Sequence, residues 1–265
     1  MNKLLTTTLF AVTTFIIAAL FQTTTFAADQ SRLHRILENG VLRVGTTGDF
    51  NPMSIRDPAT NDYKGFDIDI ARQLAKDMGV EIEFVPTDWK TLVNGIVADK
   101  YDLTTSASLN MSRAKVAGYT APYFFVGTVP MTLKKNLDKF QGWDSINKAG
   151  INVAVTLGTV FEEQARQYFP EATIKQVEAP ARDYQEVLAN RAEVSITSNL
   201  EASTLVKTYP ELAVIPVDEA RSRRPLAMLV AQDDLIWMNY VNYWIQLKHT
   251  EGYFKQLAQQ WMGSE

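Results

Sequence analysis

The chain has 265 residues, of which 46% are apolar and 21% charged, with a net charge of −4. This is the composition of a globular protein of two lobes or one large domain, and it argues against disorder and against a basic nucleic-acid groove. There is no cysteine, which excludes disulfides, thiol nucleophiles and thiolate metal sites.

Residues 1–27 read as a secretory signal peptide. Lys3 supplies the positive start, Leu9 to Phe21 a short apolar core, and Thr25-Phe26-Ala27 small residues at the two positions of a cleavage site that a signal peptidase reads. The apolar run is short of the ~20 residues of a membrane span. The expected product is an exported chain with the periplasm as its home.

Ser31 to Asn39 predicts a short amphipathic helix with Leu33, Ile36 and Leu37 on one face, stopped by Gly40. Val41 to Thr46 alternates as a first strand. It runs into Thr47-Gly48-Asp49-Phe50-Asn51-Pro52, a turn at the kind of strand end where open α/β sheets bind ligands. Asp49 and Phe50 are therefore candidates for a cleft floor. A polar hairpin-like loop spans Arg56 to Tyr63. A helix follows through Met78, with Asp67 and Asp69 placed to cap its start rather than to hold a metal. Glu81 to Val85 is the second strand, Trp89 sits at its end, and Lys90 to Ala98 is a helix. Trp89 either walls a ligand or packs. The order β-α-β-α-β predicts a parallel sheet.

Tyr101 to Phe125 combines a strand, a following run of hydroxyls (Thr104, Thr105, Ser106, Ser108), one arginine (Arg113) and an aromatic end. Hydroxyls and a guanidinium fork near a strand end suit a carboxylate. A second α/β series begins at Ile151 and includes the turn Leu157 to Val160, a helix carrying Glu162 and Glu163, the strand Glu193 to Thr197 and a helix from Ser198-Asn199. Arg221 to Arg224 reads as a solvated charge run before a strand at Leu226, or as the source of one cleft-edge arginine. Trp237, Tyr240, Val241, Trp244 and Ile245 form a helical core stripe. The two histidines, His34 and His249, are unpaired in sequence, and no nucleotide-binding glycine motif occurs. Neither metal nor cofactor is expected.

VLRVGTTGDFNPMS, GFDIDIARQLAKDMG, YDLTTSASLNMSRAKVAGYTAPYF, LGTVFEEQA and EVSITSNLEA together resemble the family-3 periplasmic solute-binding proteins, and the likeness covers the mature chain. It implies a two-lobed α/β fold of the type II periplasmic-binding kind with two crossovers at a hinge. The first lobe would be residues 28–125 and 226–265 and the second 126–225, with crossovers near Tyr123 to Gly127 and Arg223 to Leu226. Arg113 would clamp a small carboxylate solute, Ser106, Ser108 and Thr159 would donate hydrogen bonds, and Phe50 and Trp89 would wall it. An ABC permease would be the partner. SRLHRILENGVLRVGTTGDFNP, VPTDW and SLNMSR are similar to the cyclohexadienyl dehydratase branch. That likeness implies an alternative, a cofactor-free prephenate or arogenate dehydratase in which Glu162 protonates the leaving hydroxyl. The family's ammonium-binding aspartate would fall after EVSIT, where this chain has Ser198 and Asn199, so an ordinary α-amino acid is not the expected ligand. The family's second hydroxyl falls at Val160, or at Thr159 if the alignment slips by one, and Phe161 replaces a small polar residue.

Overall fold

A computed structural model describes residues 31–263; the expected signal peptide lies outside them. Strand β1 (Val41–Thr46) is the hub of the first half. It pairs in parallel with β5 (Glu81–Pro86) on one side and β6 (Leu103–Ser108) on the other. The connections are helices α2 (Phe66–Met78) and α3 (Leu92–Val97), as parallel crossovers require. Helix α1 (Arg32–Asn39) is capped by the Ser31 hydroxyl and closed by Gly40 in the left-handed region. Ile36 is buried, whereas Leu37 faces solvent. The place expected for Leu37 goes to Arg32, whose guanidinium donates to the Tyr101 and Ile96 carbonyls at 3.0 and 2.7 Å.

The loop after β1 is more regular than expected. Strands β2 (Asp49–Phe50), β3 (Ser54–Arg56) and β4 (Tyr63–Lys64) form a small antiparallel sheet. The hydroxyl run also lies inside strand β6 rather than in a loop after it. Its threonines favour strands, and the segment is held from both sides by β1 and by β13 (Arg221–Val230).

Helix α4 (Met111–Ala114) and strand β7 (Gly118–Tyr119) lead to the ten-residue strand β8 (Phe124–Leu133). Strands β8 and β13 pair antiparallel with each other. At one end β13 pairs with β6, and at the other β8 pairs with β11 (Val194–Ser198). These two strands thus carry the sheet from one half to the other, and the segments expected as crossovers lie on them. The second half adds β9 (Asn152–Thr156), α5 (Val160–Tyr168), β10 (Thr173–Val177), α6 (Asp183–Leu188), α7 (Asn199–Thr208) and β12 (Leu212–Val214), in strand order β10-β9-β11-β8. The arginine run belongs to β13 because its partners accept it. Arg221 lies over the Trp143 and Tyr168 rings, Arg223 over Phe125, and Arg224 donates to the Leu109 carbonyl.

Apolar cores fill each half separately. Leu42, Phe66, Leu103, Met228 and Trp237 share one cluster, while Met131, Ala154, Val187 and Leu205 share another. Helices α8 (Leu235–Thr250) and α9 (Tyr253–Met262), broken at Gly252, return the chain end to the first half. Trp237, Val241, Trp244 and Ile245 are buried, as their spacing predicts. A further buried ring, Tyr101, is wedged against Gly45 and Gly95, and its hydroxyl donates to the Leu92 carbonyl at 2.7 Å. A Cβ on Gly95 would stand 2.0 Å from that hydroxyl oxygen. Gly95→Ala is therefore expected to destabilise the fold by about 1–3 kcal/mol of overpacking despite alanine's better helix propensity, read as a lower urea midpoint.

Candidate functional site

The ends of several strands and helices from both halves converge on one small cavity. From the first half come Phe50 on β2, Trp89 after β5, Ser106 and Ser108 on β6, and Arg113 on α4. From the second come Thr159, Val160 and Phe161 at the start of α5, Arg182 before α6 and Glu201 in the first turn of α7. The cavity is only about 20 Å³, room for roughly one water, so an organic solute needs more space than this arrangement of the two halves leaves.

Arg113 is presented by a short helix whose Asn110 cap accepts from the Ser112 and Arg113 N–H groups. Its guanidinium is buried and donates across the cleft to the Gly158 carbonyl at 2.8 Å. Phe50 meets Trp89 edge to face, with centroids 5.9 Å apart, and the Trp89 indole donates to Asp49 at 3.0 Å. Asp49 thus stands behind the aromatic wall rather than on the cavity surface.

Ser106 adopts a left-handed conformation with φ 52°. Its N–H donates to the Tyr123 hydroxyl at 2.7 Å, its own hydroxyl donates to Asp67, and Tyr123 donates to the other Asp67 oxygen at 2.9 Å. Asp67 is therefore not a helix cap: it is a buried anchor tying the cleft residue Ser106 to Tyr123 at the start of β8. Burial pushes its carboxyl up to about 6, against the pull of these hydrogen bonds. Asp69 likewise accepts from the Trp261 indole. Thr159 donates its hydroxyl to the Thr156 carbonyl at 2.7 Å. Ser106 and Thr159 have thus given their protons to the protein itself.

The largest departure from expectation is a buried charge cluster. Arg182 donates from Nη2 to both oxygens of Glu201 at 2.9 and 3.0 Å, from Nε to Thr156 at 3.1 Å, and from Nη1 to the Asp49 carbonyl. Nη1 also lies 3.1 Å from the Asp49 carboxylate. Burial opposes the charge on Arg182, but Glu201, Asp49 and Asp183 outweigh it and push the guanidinium above its usual value. Burial pushes the Glu201 carboxyl up to about 7, against the pull of Arg182, with Asp183 reinforcing the rise. Burial likewise raises Asp183, one of whose oxygens has no hydrogen-bond partner among the described residues.

Glu162, Ser198 and Asn199 stand outside the cavity lining. Glu162 accepts from Gln176 and from the Gly158 N–H, and pairs with Arg166. Ser198 is spent as the N-cap of α7, accepting from the Glu201 N–H at 3.0 Å. Asn199 is exposed and accepts from the Gly127 N–H. The acid that faces the cavity is one turn further on, at Glu201. In sequence Glu201 looks like a surface residue of a polar helix, and Arg182 like part of a loop; only the convergence of α6 and α7 encloses them. Arg221, Arg223 and Arg224 are also outside the lining, held by β8, the aromatic rings and Leu109.

The family model for bacterial extracellular solute-binding proteins, family 3, matches residues 42–264. The chain is 31% identical to the cyclohexadienyl dehydratase of Pseudomonas aeruginosa over 92% of its own length and 91% of that protein. It is 28% identical to the L-cystine-binding protein TcyJ of Escherichia coli, covering 90% and 88%. A crystal structure of an ancestral amino-acid-binding protein, described as a precursor of cyclohexadienyl dehydratase, superposes with a TM-score of 0.81 at 33% identity, covering 87% and 99%. The likeness shows the fold: a two-lobed α/β architecture of the type II periplasmic-binding kind.

Two measurements follow from this geometry. Gly158 has φ 82°, and a Cβ there would stand 2.6 Å from the Lys90 backbone. Gly158→Ala is expected to hold the halves apart, seen as a larger radius of gyration in small-angle scattering, and to lower the melting temperature as well, because a Cβ at this positive φ is strained. Asp67, held protonated to about 6 in the fold, titrates near 3.9 when unfolded. Its native proton favours folding fully below pH ~4, and that contribution is lost as pH rises to ~6. Stability of the wild type relative to Asp67→Asn is expected to fall by about 2 kcal/mol between pH 4 and 7, measured by urea unfolding at each pH.

Proposed function

Because the chain belongs to family 3 of the bacterial extracellular solute-binding proteins, we propose that it captures a small carboxylate-bearing solute in the periplasm and delivers it to an inner-membrane ABC permease. Residues 1–27 would direct export. The first lobe would comprise residues 28–125 and 226–265 and the second 126–225; the separate apolar cores and the two connecting strands support that division. Phe50, Trp89, Ser106, Ser108, Thr159 and Val160 surround the ligand in this reading.

The observation that carries the reading is Arg113. It is buried at the cavity with an N–H aimed at a neutral carbonyl of the opposite half, 2.8 Å away. A carboxylate in the place of that carbonyl would make a charge-assisted, forked contact, roughly twice as strong as a neutral one. Binding to the open form and closing by a hinge on the β8–β13 pair then follow. The mature protein is expected to be stabilised in a thermal-shift screen by at least one carboxylate, since a ligand bound only by the native state raises the melting temperature. Arg113→Ala should weaken that ligand by about 2–5 kcal/mol in calorimetry. An unchanged affinity would move the anion site elsewhere.

A second reading, dehydration of prephenate, rests on Glu201. A carboxyl in the cavity with its pKa pushed up to about 7 can hold a proton near neutral pH and give it to a leaving hydroxyl, which departs as water while carbon dioxide is lost. The bidentate bond from Arg182 favours the ionised form and works against that role. Incubation with prephenate, following phenylpyruvate, separates the readings. No turnover ends the second. Turnover lost in Glu201→Gln and kept in Glu162→Gln assigns the acid to Glu201, and the reverse pattern assigns it to Glu162.

A further inference from the structure

We propose that Arg182 is the specificity-determining residue of this cleft: by holding Glu201 it occupies the counter-charge that a ligand's α-ammonium would need, so the solute is a carboxylic acid without an α-amino group. The inference rests on the carboxylate reading above and goes beyond it by naming which carboxylates are refused.

The argument is one of buried charge. A zwitterionic amino acid brings two charges into an enclosed site, and each needs a partner there. Arg113 is placed for the carboxylate. Glu201 is the carboxylate on the cavity surface, and both of its oxygens already accept from Arg182 Nη2, one of them also from the Thr197 hydroxyl. Asp49, the next carboxylate, is held by the Trp89 indole and by Arg182 Nη1. Asp183 lies behind Arg182, with its Nε 3.7 Å from one oxygen, and bonds Thr156. For an ammonium to reach Glu201, the guanidinium must give up a bidentate pair while its Nε stays on Thr156 and its charge stays buried. Such a displaced cation would face the incoming one across the same small space, and like charges in a desolvated site repel strongly.

The pair is also fixed within one half. Thr156, Thr197, Arg182 and Glu201 all belong to the second half, so parting of the halves breaks only the Asp49 contacts. What the open cleft then presents beside Glu201 is Arg182 Nη1, a donor. The open form therefore still offers an incoming ammonium no unpaired carboxylate at Glu201.

The test uses matched pairs that differ only in the α-amino group: hexanoate and L-norleucine, 3-phenylpropionate and L-phenylalanine, glutarate and L-glutamate. Each is titrated against the mature protein by thermal shift and calorimetry. The wild type is expected to respond to no amino acid more than to its des-amino partner. Arg182→Met, which keeps the bulk and removes the charge, is expected to gain a response to at least one amino acid, with the preference within that pair moving toward the amine by about tenfold or more. Glu201→Gln, which keeps the shape should Arg182→Met not fold, is expected to bind the des-amino acids more tightly, because Arg182 is then released toward the anion. An amino acid that binds the wild type better than its partner and is lost in Glu201→Gln overturns the proposal. So does an Arg182→Met protein that folds and stays silent to every amino acid. Repeating the titrations in Arg113→Ala tells the two readings apart: responses that persist there refute the carboxylate clamp and leave the Arg182 result standing.

Discussion

A guanidinium taken out of water must find both opposite charge and a partner for every N–H, and Arg182 meets that demand by gathering four elements of the structure around itself. Its Nε takes a hydroxyl at the end of β9, Nη2 takes the carboxylate in the first turn of α7, and Nη1 reaches the β2 region of the other half. Its backbone N–H meets Gln185, fixing the start of α6. Each bond restricts the placement of the others, because losing one partner would leave a buried charge uncompensated. The second half is thus organised by polar constraint where it meets the cleft, and by apolar packing only further back, around Ala154, Val187 and Leu205.

The first half solves the same problem with a neutralisable group. Among the described residues no cation pairs with Asp67; the Ser106 and Tyr123 hydroxyls, one on each carboxyl oxygen, stand in for one. That arrangement holds Ser106 in a backbone conformation unusual for a residue with a Cβ. It also fastens the strand end that carries the cleft residues to the strand that leaves for the other half. Site geometry and hinge are therefore joined through one carboxyl.

Much of this was legible in the sequence because local pattern and tertiary environment agree. β1, β5, α2, β9 and β10 follow from alternation, helical spacing and the glycines that end them. Phe50, Trp89 and Ser106 could be placed near one another because strand ends of an α/β sheet meet on one edge; Ser108, Arg113, Thr159 and Val160 joined them through the resemblance to family 3, and all seven line one cavity. The misreadings have a common cause. The strand at Tyr101 was expected to end within the hydroxyl run and the arginine run to be solvated, whereas β6 continues to Ser108 between two strands and β13 lays Arg221 and Arg223 on aromatic rings. Asp67 looked like a cap because its partners, Ser106 and Tyr123, are 39 and 56 residues away. Glu201 and Arg182 were missed for the same reason: a charged residue in a polar segment gives no local sign that two helix starts and a distant turn will close over it.

The return of the chain end to the first half also has a bearing on how the molecule assembles. Trp237 is fully buried in the core that β1 and β6 begin, and its indole bonds the Asp102 carbonyl, 135 residues earlier in the chain. Ser31 and the Arg32 N–H meet Asp234 across more than 200 residues. The second half draws its cluster mainly from one continuous stretch of chain and has no such wait. In a growing or emerging polypeptide the later-numbered half can therefore complete its core first, and the half that starts the sequence finishes last. Contacts of such long sequence separation slow folding, and those that dock α8 onto the first-half sheet are among the longest in the molecule.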